Sequence, residues 1–169
     1  MYTLSETSLK MLKGVHPNLV NFMTELIKIS PWDFKITAGV RTAAEQNLEY
    51  QKGRTAPGSK VTKVDGYKLK SNHQVKYDGL GYAADIGVLV KEKVNVSVME
   101  NGKKVEKVIE KDVYKGTWKD FHYYQDIYNA AKNAGLLEKY GIEWGGNCWR
   151  TFKDAPHWQI KGADRVAYK

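Results

Sequence analysis

Gly81-Tyr82-Ala83-Ala84-Asp85-Ile86-Gly87-Val88-Leu89-Val90 reads as a strand from Tyr82 onward, and the segment after it decides the fold. Val94, Val96 and Val98 alternate with Lys93, Asn95 and Ser97, Asn101-Gly102 supplies a tight turn, and residues 105–109 lead back. Alternation on both sides of Asn-Gly marks a β-hairpin, so the sheet is antiparallel here. Upstream, residues 33–40 form another strand with Phe34 and Ile36 on one side, and short strands fit residues 141–144 and 157–160.

Helical spacing fills the intervals. Ser5 can cap a short turn carrying Leu9 and Leu12, and Pro17 suits the first position of a longer helix. Leu19, Phe22, Met23 and Leu26 give that helix one buried face, and Ser30-Pro31 ends it. Thr42 and Glu45 form a capping box for a helix running through Leu48 to Tyr50, with Gly53 as its stop. Residues 54–70, rich in Gly, Lys and Thr, read as a surface loop. From Trp118 to Ala134, Phe121, Tyr124, Tyr128 and Ala131 recur at helical spacing before Gly135. The fold class is α+β: one domain over residues 1–169, a small antiparallel sheet with helices packed on it, and no internal repeat.

A chain of 169 residues, 42% hydrophobic, can bury a core without disulfides, and its lone cysteine, Cys148, excludes an intramolecular one. No thiol-peptidase signature surrounds Cys148. The formal charge of +8 favours an anionic partner: nucleic acid, acidic lipid or the cell envelope. Lys60, Lys63, Lys68 and Lys70 scatter through a loop and belong to no DNA-reading motif, which argues against nucleic acid. No apolar run reaches the roughly 20 residues of a membrane helix. The start, Met1-Tyr2-Thr3-Leu4-Ser5-Glu6, has no signal-peptide pattern, so the expectation is synthesis in the cytoplasm without a leader.

Four histidines must be sorted. His16 precedes a proline and His122 lies in a helix beside Tyr123 and Tyr124, which suits structural or exposed roles. His73 sits in Ser71-Asn72-His73, Asp85 ends Gly81-Tyr82-Ala83-Ala84-Asp85, and His157 sits in Asp154-Ala155-Pro156-His157-Trp158. Two imidazoles and a carboxylate are a common zinc set that leaves a fourth position for water. Small neighbours on the Asp85 face, Ala83 and Gly87, would leave room for an ion and a substrate backbone. In the last strand His157 and Gln159 share one face, while Trp158 and Ile160 share the other and turn inward. Asp154 could accept the proton of an activated water and return it to a leaving amine, or it could be a loop residue before Pro156.

This arrangement resembles the zinc-dependent D,D-carboxypeptidases and L-alanyl-D-glutamate endopeptidases, especially the small phage endolysins. Their Ser-x-His, Gly-x-Ala-x-Asp and Asp-x-x-His-Trp motifs are similar to Ser71-x-His73, Gly81-x-Ala83-x-Asp85 and Asp154-x-x-His157-Trp158. Thr37-Ala38-Gly39-Val40-Arg41-Thr42, with Gln46, Tyr50 and Gly53, resembles the upstream segment, and Trp144-Gly145-Gly146 the segment before the last motif. Leu4 to Leu9 and Val15 to Val20 are similar to the N-terminal helices.

The resemblance implies a Hedgehog/D,D-peptidase-like sheet carrying one zinc ion on His73, Asp85 and His157, with Asp154 as general base. Arg41 would then bind a substrate carboxylate or the developing oxyanion, although a structural ion pair is the plainer alternative. Ser71 would touch the substrate or a ligand, and Gln46 and Tyr50 would pack. Implied too is a monomeric endolysin cutting the L-alanyl-D-glutamate bond of the peptidoglycan stem peptide. It would reach the wall after membrane permeabilisation, with no separate wall-binding domain and no nucleic-acid partner. Competing readings are a D-alanyl-D-alanine carboxypeptidase or dipeptidase, and a non-catalytic wall- or DNA-binding domain.

Two departures from the pattern carry expectations of their own. His73 and Gly81 stand eight apart where the family has three, so five residues within Gln74 to Leu80 must bulge out for His73 to meet Asp85. The valine-rich hairpin near 91–113 is longer than the family core needs.

Overall fold

The computed structural model describes residues 1–148 and 153–169. Among them, five strands form one antiparallel sheet: β1 (Asp33–Ala38), β2 (Ala83–Glu100), β3 (Lys103–Lys115), β4 (Ile142–Trp144) and β5 (His157–Ile160). The helices are α1 (Glu6–Met11), α2 (Pro17–Ile29), α3 (Ala43–Gln51), α4 (Phe121–Asn133), α5 (Leu136–Tyr140) and α6 (Gly145–Cys148). The side chain of Cys148 lies outside the described residues.

β2 organises the sheet. One edge pairs with β1, and the other pairs first with β5, at Ala83 to Asp85, then with β3 from Val88 to Glu100. β5 in turn pairs with β4. Between Ile36 and Ala38 the β1–β2 register shifts, so that Ala38 comes opposite Asp85 while Ile36 pairs with Ile86. A bulge of this kind bends the strand and re-aims the chain beyond it. Here that chain is Gly39, Val40 and Arg41, delivered over Asp85.

The core lies between α2, α4 and one face of the sheet. The 3, 4, 7 spacing of α2 does what it predicts: Leu19, Phe22, Met23 and Leu26 are buried. They meet Ile36, Ala84, Ile86 and Val88 from the sheet, Tyr124 and Ile127 from α4, and Trp158 from β5. The Phe22 and Trp158 rings sit 5.3 Å apart, and Trp144 is sandwiched near Trp158 and Tyr128. Pro17 opens α2, and His16 caps it by accepting from the Asn18 amide at 3.2 Å.

Two expectations are corrected, and α1 adds a contact of its own. α1 turns Leu9 outward, at 48% exposure, and buries Ser8 instead, whose Oγ accepts from the Ile36 amide. That hydrogen bond joins α1 to β1. The helix expected from Trp118 begins as a single 3-10 turn, Trp118–Asp120, before α4. The strand expected over 82–90 and the hairpin arm after it are one continuous strand, β2.

Candidate metal centre

His73, Asp85 and His157 arrive from three directions. Asp85 and His157 are register partners on β2 and β5, which points both side chains off the same face. His73 comes from the turn before β2. The extra residues loop out as expected: the Tyr82 amide donates to the Asn72 carbonyl at 2.8 Å and closes the neck. Within the bulge, the Lys76 amide donates to Leu80 and the Gly79 amide to Lys76. The bulge leaves the His73 ring in place. One ligand atom from each residue lies within 4.8 Å of the others, a group that could hold a metal ion.

The hydrogen bonds say which imidazole nitrogens carry protons. His73 Nδ1 lies 2.7 Å from the Gly39 carbonyl, an obligate acceptor, so Nδ1 holds the hydrogen and Nε2 offers its lone pair. His157 Nε2 lies 2.9 Å from Gln159 Oε1, so Nε2 donates and Nδ1 offers its lone pair. His73 Nε2 and His157 Nδ1 are 3.3 Å apart, and each is 3.1 Å from Asp85 Oδ1. At these distances a proton or a metal cation must lie among the three atoms. The site therefore fits a metal on its own chemistry.

Asp85 divides its oxygens. Oδ1 faces the imidazoles, and Oδ2 takes Arg41 Nη2 at 2.6 Å. Burial by itself would raise the Asp85 carboxyl, but the two histidines and their hydrogen bonds hold it well below the usual carboxylate range. Burial also pushes His73 below its ordinary value, against the pull of Asp85. For His157 burial acts in the same sense, yet the Asp85 hydrogen bond and the charges of Asp85 and Asp154 outweigh it and raise the group. Asp154 is pushed up to about 6, chiefly by burial and next by the negative charge of Asp85. It lines the same cleft as the three candidate ligands, its backbone amide donating to the Gly145 carbonyl at 3.1 Å.

The cleft has a volume of about 910 Å³. Loop 54–70 forms one wall, tied down by Gln46 to the Val64 carbonyl, Asn47 to the Asp65 carbonyl and Gln74 to the Gly66 carbonyl. Gln46 is thus a buried tether. Arg41 lines the floor, and its amide donates to the His73 carbonyl at 3.0 Å. Ser71 also lines the cleft, while its Oγ accepts from the His73 amide at 3.3 Å and shapes that turn. His16 and His122 lie away from the cluster, the latter facing the Lys119 carbonyl.

Gly87 differs from expectation. A side chain there would meet the Tyr114 ring at 2.5 Å and Thr37 at 2.8 Å, so the space it leaves admits Tyr114, which lines the cleft. Two residues escaped the sequence reading: Gln159, which fixes His157, and Glu143, which accepts from Gln159 Nε2 at 2.6 Å. Alternation puts Gln159 on the His157 face, but the partnership depends on cross-strand register.

Comparison with known proteins agrees with the geometry. The family described as phage L-alanyl-D-glutamate peptidase matches residues 1–116, which carry Arg41, Ser71, His73 and Asp85. The Bacillus subtilis (strain 168) peptidoglycan L-alanyl-D-glutamate endopeptidase CwlK is 29% identical over 128 residues, 76% of this chain. The chain spans about 60% of the length of that relative. The crystal structure of the Serratia marcescens L-Ala D-Glu endopeptidase ChiX superimposes with a TM-score of 0.59 at 25% identity, over 97% of this chain and 94% of that one. With the fold matched nearly end to end and the family pattern matched over more than two thirds of its length, this chain belongs to the phage L-alanyl-D-glutamate peptidase family.

Proposed function

We propose that this protein is a zinc-dependent endopeptidase of the endolysin type, cutting the L-alanyl-D-glutamate bond of the peptidoglycan stem peptide. The observation that carries the reading is the convergence of two imidazole lone pairs and one carboxylate oxygen beside Asp154. His73, Asp85 and His157 would hold the ion, and a mixed nitrogen and oxygen set of three suits zinc with one position left open. When bound, zinc acidifies a water and polarises the scissile carbonyl as a Lewis acid.

The chain's own groups do the rest. Asp154 is ionised at neutral pH yet more basic than an ordinary aspartate, so it accepts a proton from the attacking water and later donates it to the leaving amine. Arg41, steadied by Asp85 and with Nη1 3.4 Å from Gln46 Oε1, presents a planar cation on the cleft floor. There it meets a substrate carboxylate or the charge that develops on the carbonyl oxygen. Ser71 holds the His73 turn and borders the substrate. Among the described residues no helix is long and apolar enough to cross a membrane.

Mass spectrometry of purified peptidoglycan digested with the protein, with and without a chelator, tests this. New D-glutamate amino termini that vanish on chelation are expected. Release of D-alanine in their place would assign a D,D-carboxypeptidase, and chelator-insensitive cleavage would remove the metal.

A further inference from the structure

We infer that a buried relay, running from Lys76 through Asn72 to Gln159 and braced by Glu143, positions His157 as a ligand by dictating which of its nitrogens carries the proton. The inference rests on the reading of the cluster as a metal centre and adds four positioning residues to it. None of the four is a residue that the family motifs specify, Asn72 filling the open position of Ser71-x-His73.

The argument is one of hydrogen-bond polarity. An ammonium can only donate, and Lys76 Nζ lies 2.8 Å from an oxygen of Asn72, so that atom is Oδ1, which also accepts from the Tyr168 hydroxyl at 3.2 Å. The Asn72 amide nitrogen is then fixed on the other side, where it donates to Asp164 Oδ1 at 2.7 Å and Gln159 Oε1 at 2.9 Å. At the far end Glu143 Oε1 accepts from Gln159 Nε2 at 2.6 Å, which independently turns Gln159 Oε1 toward His157. Both ends thus impose one orientation on the Gln159 amide. An acceptor facing His157 Nε2 requires a proton there, so Nδ1, which faces Asp85, is the nitrogen that a neutral His157 offers to an ion. Reversing either amide would place donor against donor.

Burial makes the relay consequential. Lys76 is fully buried and Gln159 is 1% exposed, so water cannot substitute for a lost partner. Burial pushes the Lys76 ammonium down to about 8, with Asp164 opposing, which leaves it a cation at neutral pH. The Tyr168 ring covers it at 3.3 Å. Lys76 lies on the bulge between His73 and Gly81, so this segment supplies the cation at the head of the relay.

Zinc affinity by competition with a chromophoric chelator, together with thermal melting of the zinc-stripped protein, tests the inference. Gln159→Leu should weaken zinc binding by roughly 10- to 100-fold, and Lys76→Met by up to roughly 10-fold, the range for lost partners of ligand histidines. Gln159→Glu alone sets a carboxylate against Glu143. The double variant Gln159→Glu/Glu143→Gln exchanges donor and acceptor while keeping an acceptor on His157, and it should recover most of the affinity lost in Gln159→Leu. A role confined to packing would lower melting without this pattern of rescue. Should Lys76→Met fail to fold, the Gln159 series decides. If wild-type protein takes up no zinc, the metal-centre reading falls and the relay with it. If wild type binds zinc and Gln159→Leu binds it equally well, only the relay falls.

Discussion

The two halves of β2 obey different physics. From Ala83 to Val88 nearly every residue is buried, flanked by β1 on one edge and by β5 on the other, with α2 beneath. From Lys91 to Glu100 the same strand has, among the described residues, only β3 beside it, and its side chains alternate between half-covered and exposed. The inner half holds Asp85 and the bulge that brings Arg41 over it. The outer half is a two-stranded ribbon, a structure of marginal stability by itself. Chemistry is therefore concentrated where strand neighbours on both edges fix side-chain direction, and the ribbon is an extension of that platform.

The difference can be broken at four points, from the strongest effect down. Asp154→Asn should lower kcat by roughly 10²- to 10⁴-fold on peptidoglycan while zinc content stays at the wild-type level, whereas His157→Ala should lose both. Metal analysis beside a turnover assay decides this, and near-normal activity in Asp154→Asn would remove it as base. Next, kcat/KM should fall about tenfold per pH unit on the acid side, because a protonated Asp154 cannot accept a proton. Burial and Asp85 set that carboxyl at about 6 and a bound cation lowers it, so the limb lies at or below about 6. A profile flat to about pH 4 would contradict the base assignment.

Third, Trp158→Ala in the inner platform should cost about 3–5 kcal/mol in denaturant melts. Trp158→Phe should cost far less, since the indole Nε1 has no hydrogen-bond partner among the described residues. Weakest of all, Val108→Thr on the ribbon, a residue 64% exposed, should change stability by no more than about 0.5 kcal/mol. A larger loss there would mean that the ribbon supports the core.

The same contrast explains what could be read from the sequence. Periodicity reported α2 because it has one face in the core and one in water, the hairpin because its β2 arm alternates between half-covered and exposed side chains, and β5 because its two buried faces differ, one in the core and one on the cleft. The Thr42 to Glu45 box located α3, and both of its capping hydrogen bonds are present. His157 and Asp85 were legible because alternation fixes direction within a strand. Lys76 was not: in sequence it belongs to a polar bulge, and only the Tyr168 ring and the Asn72 oxygen show that it is buried. The Gly39 carbonyl that orients His73 was equally hidden, since a backbone group leaves no mark in residue type.

Tyr114 lies opposite Leu89 and rests on Gly87 at the rim of the cleft, yet its place is counted from a turn far away. Asn101-Gly102 lies ~40 Å up the ribbon at about 3.4 Å per residue, and every rung between transmits its count. Two residues inserted in one arm alone would slide a different side chain onto Gly87, remodelling the mouth of the cavity without touching any residue near it. The ribbon thus behaves as a ruler, and lengthening both arms together would leave its reading unchanged.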